Sequence, residues 1–350
     1  MSTTSTPITM LTNIHTDAPK FQALSKHFQD MVELSFRKAL LHEGDPQTFP
    51  LDGEKPSLEA VFAHTLQAVP SEKKATAIKS ALAGAKTMPA GVPSQVSLRT
   101  ASPIQEQMQA LPLPGRLTPS ELAQMTQIVT RPSVNQPSAP TRFQQAEIRL
   151  LKLKCVQKTK EIFEGLDEPE LGAVLVRQDK TSSQIGPVTF GQFDEGQEKT
   201  FHPPIRFTTI PFDSHDQFPQ ALAVTFSFIE KDKDDAAKIL QTVFDAVKAV
   251  KGQIVDALEE LLGLSSDGSS SSTDAGTTVL VVLLNVVVGA VIDLIGKLLV
   301  DLVGSDPFTP TMTAFAISSG DSTDSADEQV TFTSDHFKGK YVLTYDLHLS

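Results

Sequence analysis

The chain has 350 residues and a formal net charge of -12, with 30 Lys and Arg against 42 Asp and Glu and a pI near 5.1. That balance argues against a general nucleic-acid binder, which needs clustered cations to displace counterions from phosphates. A single cysteine, Cys155, excludes an internal disulfide framework, and 20 Phe beside no Trp and two Tyr disfavours a sugar-stacking platform or an aromatic membrane girdle.

The length predicts two domains. The opening MSTTSTPITMLTNIHTDAPK has no basic start followed by an apolar core, so no Sec-type signal is expected; the chain is read as cytoplasmic or exported by another route. Residues 1 to about 18 are Thr- and Pro-rich and read as loose. From Phe21 through Leu24, Phe28, Met31, Val32 and Phe36 to Leu40, apolar residues recur near helical spacing and predict a first helix. Pro56-Ser57 and Pro70-Ser71 open a second and a third, the latter running to Gly84. Residues 1–86 are therefore expected to be a helical N-terminal region. Prolines recur through 87–140, with one helix signal at Thr118-Pro119-Ser120-Glu121, and this span reads as a proline-rich connector without a core of its own.

Residues 141–350 change character. In IRLLKLKCV, from Ile148 to Val156, Leu151, Leu153 and Cys155 fall on one strand face and Lys152 and Lys154 on the other. Further strands are expected at 173–177, 188–193, 205–210, 222–229, 312–317, 330–333 and 341–349. So many short strands without intervening helices predict an antiparallel β-sandwich. A helical hairpin at 234–304 interrupts them. Its first helix, Asp234 to Leu262, is amphipathic and stopped by Gly263; a Ser-rich run follows; the second, Thr277 to Val303, is apolar nearly all round. Its polar interruptions, Asn285, Gly289, Asp293, Lys297 and Asp301, recur every four residues as one narrow stripe, with Asp293, Lys297 and Asp301 expected as an i,i+4 ladder at a rim. The expected fold class is thus α+β: a helical N-terminal region plus a C-terminal antiparallel β-sandwich with an inserted α-helical hairpin.

Such a greasy helix must be covered by its own domain, a partner or lipid. The apolar run before Asp293 is about 15 residues, short of the roughly 20 that span a bilayer, so a conditional insertion is favoured over a permanent anchor. The expected contact residues for a protein partner, a second copy or a membrane are Val281, Leu284, Val288, Ile292, Ile295 and Leu299. A basic strand face of Lys152, Lys154 and Lys158 is the candidate anionic-surface contact.

The segments IRLLKLKCVQKTKEIFEGLDEPELGAVLV from Ile148 and LAVTFSFIEKDKDD at 222–235 resemble a C2-type β-sandwich domain. That resemblance implies calcium-binding loops and docking on anionic lipid. It makes Asp167, Glu168, Asp232, Asp234 and Asp235 the implied oxygen ligands. It does not extend to the hairpin, and Lys231 and Lys233 interleave the second loop. No other cofactor is expected.

Catalytic signatures are missing from the sequence. There is no GxSxG elbow and no HExxH, the eight histidines are scattered, and Cys155 is expected to be a buried thiol on an inward strand face. The expected function is that of a non-enzymatic interaction protein whose hairpin engages a partner subunit or membrane, as in a toxin-like or secreted assembly. The alternatives are a structural adaptor that keeps the hairpin packed in its own domain, and an enzyme of unfamiliar type.

Overall fold

A computed structural model of the chain describes residues 8–11, 16–53, 56–84, 94–126, 143–159, 166–213, 216, 218–230, 236–264, 274–303, 306–318, 324–334 and 338–350. After a three-residue strand β1 (Ile8–Met10), the N-terminal half is helical: α1 (Pro19–Gly44), α2 (Leu58–Ala68), α3 (Ser71–Ala83), α4 (Ile104–Gln109) and α5 (Pro119–Thr126). The helix starts follow their sequence signals. Pro19 opens α1 within its first turn, where its missing N–H is no loss. Ser57 accepts the Ala60 N–H at 3.2 Å to cap α2. At α5, Thr118 and Glu121 form a reciprocal capping box: each side chain accepts the other's backbone N–H.

The C-terminal half holds β2 (Gln145–Gln157), β3 (Pro169–Arg177), β4 (Ser182–Thr189), β5 (Glu198–Pro211), β6 (Gln220–Glu230), the hairpin helices α6 (Ala236–Leu262) and α7 (Asp274–Val303), the two-residue β7 (Asp306–Pro307), β8 (Thr311–Ile317), β9 (Glu328–Thr333) and β10 (Lys340–Leu349). All pairings are antiparallel. One sheet runs β1-β8-β6-β3-β4 with β7 beside β6; the other runs β5-β2-β10-β9. The mixed α+β class and the sandwich both hold.

The strand β6 explains the layering. It is buried at every position, which requires cover on both faces. Leu222, Val224, Phe226 and Phe228 point into the sandwich, whereas Ala221 and Ala223 join the core under the helices. The helix-facing residues of this sheet are small at its centre, so helices approach closely. At Gly172 of β3 an added Cβ would come within 2.9 Å of the Phe244 ring on α6. The order of layers is therefore four-stranded sheet, six-stranded sheet, hairpin, N-terminal helices. A single hydrophobic cluster runs from α1 and α2 through α6 and α7 to the helix-facing side of the six-stranded sheet.

Phe residues dominate the other core, between the sheets. Phe228 stacks on Phe332 at 4.6 Å and meets Phe308 edge-on at 5.1 Å. Both tyrosines are inside: Tyr341 donates to Asp167 at 2.8 Å and Tyr345 to the Thr313 hydroxyl at 3.0 Å. Burial pushes the Tyr345 phenol up to about 12, and burial with the nearby Asp167 charge raises Tyr341 too. A raised phenol pKa means stability is complete below the unfolded value near 10 and falls as pH rises from there towards 12. Since these are the only tyrosines, phenolate absorbance is a clean probe of the sandwich. It is expected to emerge only together with loss of near-UV circular dichroism, and phenolate formed at pH 10 in a native spectrum would contradict the packing.

Several expectations need correction. Leu151 does not share the inward face of Leu153 and Cys155. A register shift between Leu150 and Lys152 turns Ile148 and Leu150 inward as well, and leaves Leu151 half-buried at the bulge. The loose N-terminus contributes an edge strand, β1, pairing with β8. The strand expected at 188–193 lies earlier, at β4. The Ser-rich run is shortened from its far end, because α7 begins at Asp274. Residues 94–126, the described part of the proline-rich span, dock on the helices: Val96, Leu98, Ile104, Met108, Leu111 and Met125 are buried in the helical core, and the Leu117 N–H donates to the Leu261 carbonyl of α6 at 2.8 Å. Prolines prevent long helices there but do not prevent apolar side chains from docking.

Candidate functional site

The α7 helix sits at the centre of the molecule, touching α1, α3, α6, β3, β6 and β8. By length and composition its segment Gly276–Val300, with mean hydropathy 2.6, is apolar enough to cross a membrane, and 78% of that window is buried within the fold. Val281, Leu284, Val288, Ile295 and Leu299 are 0% exposed and Ile292 is 2% exposed. The six residues expected to meet a partner are thus enclosed by the chain's own layers in this state.

The polar stripe has a direct structural explanation: it faces the six-stranded sheet. Asn285 is buried and accepts the Thr225 hydroxyl at 2.5 Å, while its amide donates to the Val224 and Thr313 carbonyls, each at 3.4 Å. These bonds pin α7 to adjacent strands and satisfy an amide that would otherwise be costly to bury. Gly289 then lets the helix pass Met312, whose sulfur would lie 2.5 Å from an added Cβ, and Gly296 lets it approach Pro307. Charge enters the stripe only where it reaches solvent. Lys297 donates to Asp293 at 2.5 Å in an i,i+4 pair at the rim, with the lysine side chain 64% exposed. The Asp301 side chain, the third rung of the expected ladder, lies outside the described residues.

Beside this pair, between the C-terminal half of α7, α6 and β6, opens a cavity of about 370 Å³. Ile229, Ile239, Val243, Ile292, Val300 and Phe308 give it apolar walls among the described residues. Ser227 on β6 supplies a hydroxyl inside, and the exposed Lys297 and Thr309 mark the mouth. Sequence reasoning missed this site. Its only advance signals are two small residues, Ser227 and Gly296, on elements whose neighbours are large, and nothing in a linear pattern says that they meet.

Of the residues implied by the C2 resemblance, the structure describes Asp167 and Glu168. Asp167 is 3% exposed, bridges to the backbone of Phe193, and accepts the Thr159 N–H at 3.0 Å, the Thr159 hydroxyl at 2.9 Å and the Tyr341 hydroxyl. Both of its oxygens are thereby engaged in holding the end of the sandwich together. Glu168 accepts from Gln192 at 3.1 Å. Asp232, Asp234 and Asp235 lie outside the described residues. Among the described residues no group of three or more His, Cys, Asp or Glu is placed to hold a metal ion.

Lys152 and Lys154 lie on the outer face of the four-stranded sheet, as alternation predicts, and Lys158 is half-buried beyond them. Acidic side chains share this face. Lys152 pairs with Glu198 at 3.1 Å, Arg206 with Glu147 at 3.1 Å, and Arg149 with Asp346 and Asp324. His348 also bonds Asp324, and this bond, with the Arg149 charge, holds the Asp324 carboxyl below its ordinary value. Alternating signs of this kind give little net field for an anionic surface. Cys155 is fully buried, and burial pushes its thiol up, which disfavours the reactive thiolate.

No protein family, curated protein or solved structure matches the chain.

Proposed function

We propose that the chain is a non-enzymatic structural adaptor in which the helical hairpin is the internal spine and the outer surfaces make the contacts. The observation that carries this reading is the enclosure of α7: its six expected contact residues are at most 2% exposed. Freeing the hairpin would strip its cover of N-terminal helices and the Asn285 bonds to the sheet. Each buried Val, Leu or Ile side chain returned to water costs roughly 1.5–3 kcal/mol, so the total reaches tens of kcal/mol before any bilayer compensates. The buried polar groups Asp167, Tyr341 and Asn285 serve packing, which also favours a scaffold over a catalyst.

A second reading rests on the length and apolarity of Gly276–Val300: a toxin-like or secreted component whose hairpin is released into lipid under a trigger. Vesicle flotation separates the two. With phosphatidylcholine/phosphatidylserine vesicles at pH 7.4 and 4.5, with and without calcium, the adaptor reading expects the protein to remain with the soluble fraction and the vesicles to retain their dye. Flotation accompanied by dye release under any of these conditions would replace the adaptor reading with the insertion reading. Calcium-dependent flotation without release would instead support C2-like docking through the acidic loops and Lys152, Lys154 and Lys158.

A further inference from the structure

The cavity beside the Asp293–Lys297 pair has features of a ligand site that the adaptor reading does not use. Its volume of about 370 Å³ is within the range of small-molecule pockets. Ser227 lines it, is 5% exposed, and has no side-chain hydrogen bond among the described residues. A hydroxyl that faces an open space is placed to donate to or accept from whatever fills that space.

The charge at the mouth narrows the occupant. Among the described residues that line the cavity, the two charged ones, Asp293 and Lys297, neutralise one another, so these supply no unbalanced charge to hold an ionic head. Beyond them the described walls are chiefly Ile, Val, Pro and Phe, and an ionic group placed among these would lose hydration without gaining a counterion there. We propose that this cavity binds a small uncharged organic molecule, mostly apolar and carrying one hydrogen-bonding group, such as a medium-chain alcohol or ketone. Its chain lies against Ile229, Ile239, Val243 and Ile292, and its polar group bonds the Ser227 hydroxyl.

The test uses the full chain with 1-octanol as probe, and octanoate and octylamine as charged counterparts, by calorimetry and saturation-transfer NMR. Octanol is expected to bind saturably at one site and at least tenfold more tightly than either charged analogue. Ser227→Val is expected to weaken it about three- to tenfold, the loss of one neutral hydrogen bond. Val300→Phe, which fills the cavity, and Thr309→Phe, which closes its mouth from an exposed position, are expected to abolish binding while circular dichroism stays native. Thr309→Phe keeps the test decisive if Val300→Phe does not fold. The proposal is overturned by absence of saturable octanol binding, by equal or tighter binding of octanoate or octylamine, or by unchanged binding in a folded, plugged variant. Vesicle flotation is independent of all these readouts, so the adaptor reading and the ligand site fail separately.

Discussion

Replacing Glu59 with alanine is expected to remove about 3–5 kcal/mol of folding stability, chiefly by leaving a buried cation without its partner. Lys38 of α1 is fully buried; its ammonium donates to the Ser102 carbonyl at 2.8 Å and lies 3.8 Å from Glu59 of α2. Glu59 in turn accepts the Ile104 N–H, the first of α4, at 2.5 Å. Two side chains thus join α1, α2 and the proline-rich span. Burial lowers the Lys38 pKa against the raising effect of Glu59. Without Glu59 the ammonium keeps its desolvation and loses its nearest counterion, leaving only the weaker effect of Asp52. The pH dependence has a definite sign. A lysine pKa lowered in the folded state means the unfolded chain binds more protons between that value and 10.5, so stability rises with pH through that window. Glu59→Ala widens the window, and its deficit in urea unfolding should shrink as pH approaches 10. Glu59→Gln retains an acceptor for Ile104 and isolates the charge. Lys38→Met with Glu59→Leu should recover most of the loss, since a well-packed apolar pair often equals a buried ion pair. A Glu59→Ala midpoint equal to wild type at pH 7 would mean that the pair is solvated, contrary to the structure.

That pair also shows what a linear reading can reach. Lys38 stands in α1 where the apolar period calls for a core residue, which is a visible anomaly, but the partner that resolves it lies 21 positions on and the carbonyl acceptor 64 positions on. Helix starts at Ser57 and Thr118 and the stop at Gly263, with φ of +68°, are local devices and were readable. The sandwich was readable because strand alternation is local too. The Leu151 register was not, since a bulge inserts one residue without any mark in the alternation. The docking of residues 96–126 was not, because proline content reports on backbone regularity and says nothing about where Ile104 or Met108 is buried. The cavity needs Ser227 and Gly296 to converge from two elements, and only tertiary structure does that.

The stripe on α7 was readable as a pattern and open in meaning, and a second substitution fixes the meaning. Leu284→Ala is expected to cost about 2–5 kcal/mol, the transfer and cavity cost of a fully buried leucine. Leu284→Asp adds the burial of a carboxylate inside an apolar cluster, several kcal/mol more. Together these rival the whole 5–15 kcal/mol of an ordinary domain, so Leu284→Asp is expected to yield no soluble folded protein. Lys297→Ala, at the 64% exposed end of the same helix, is expected to change stability by about 0.5 kcal/mol or less. This gradient along one helix distinguishes a spine from a contact surface. A partner-binding or lipid-binding α7 would tolerate Leu284→Ala in urea unfolding and lose association instead. A spine loses the fold first, because Leu284 is covered in the resting chain by the layers that the helix holds together. An unchanged unfolding midpoint for Leu284→Ala would therefore remove the physical basis of the adaptor reading, since that reading depends on the hairpin being core.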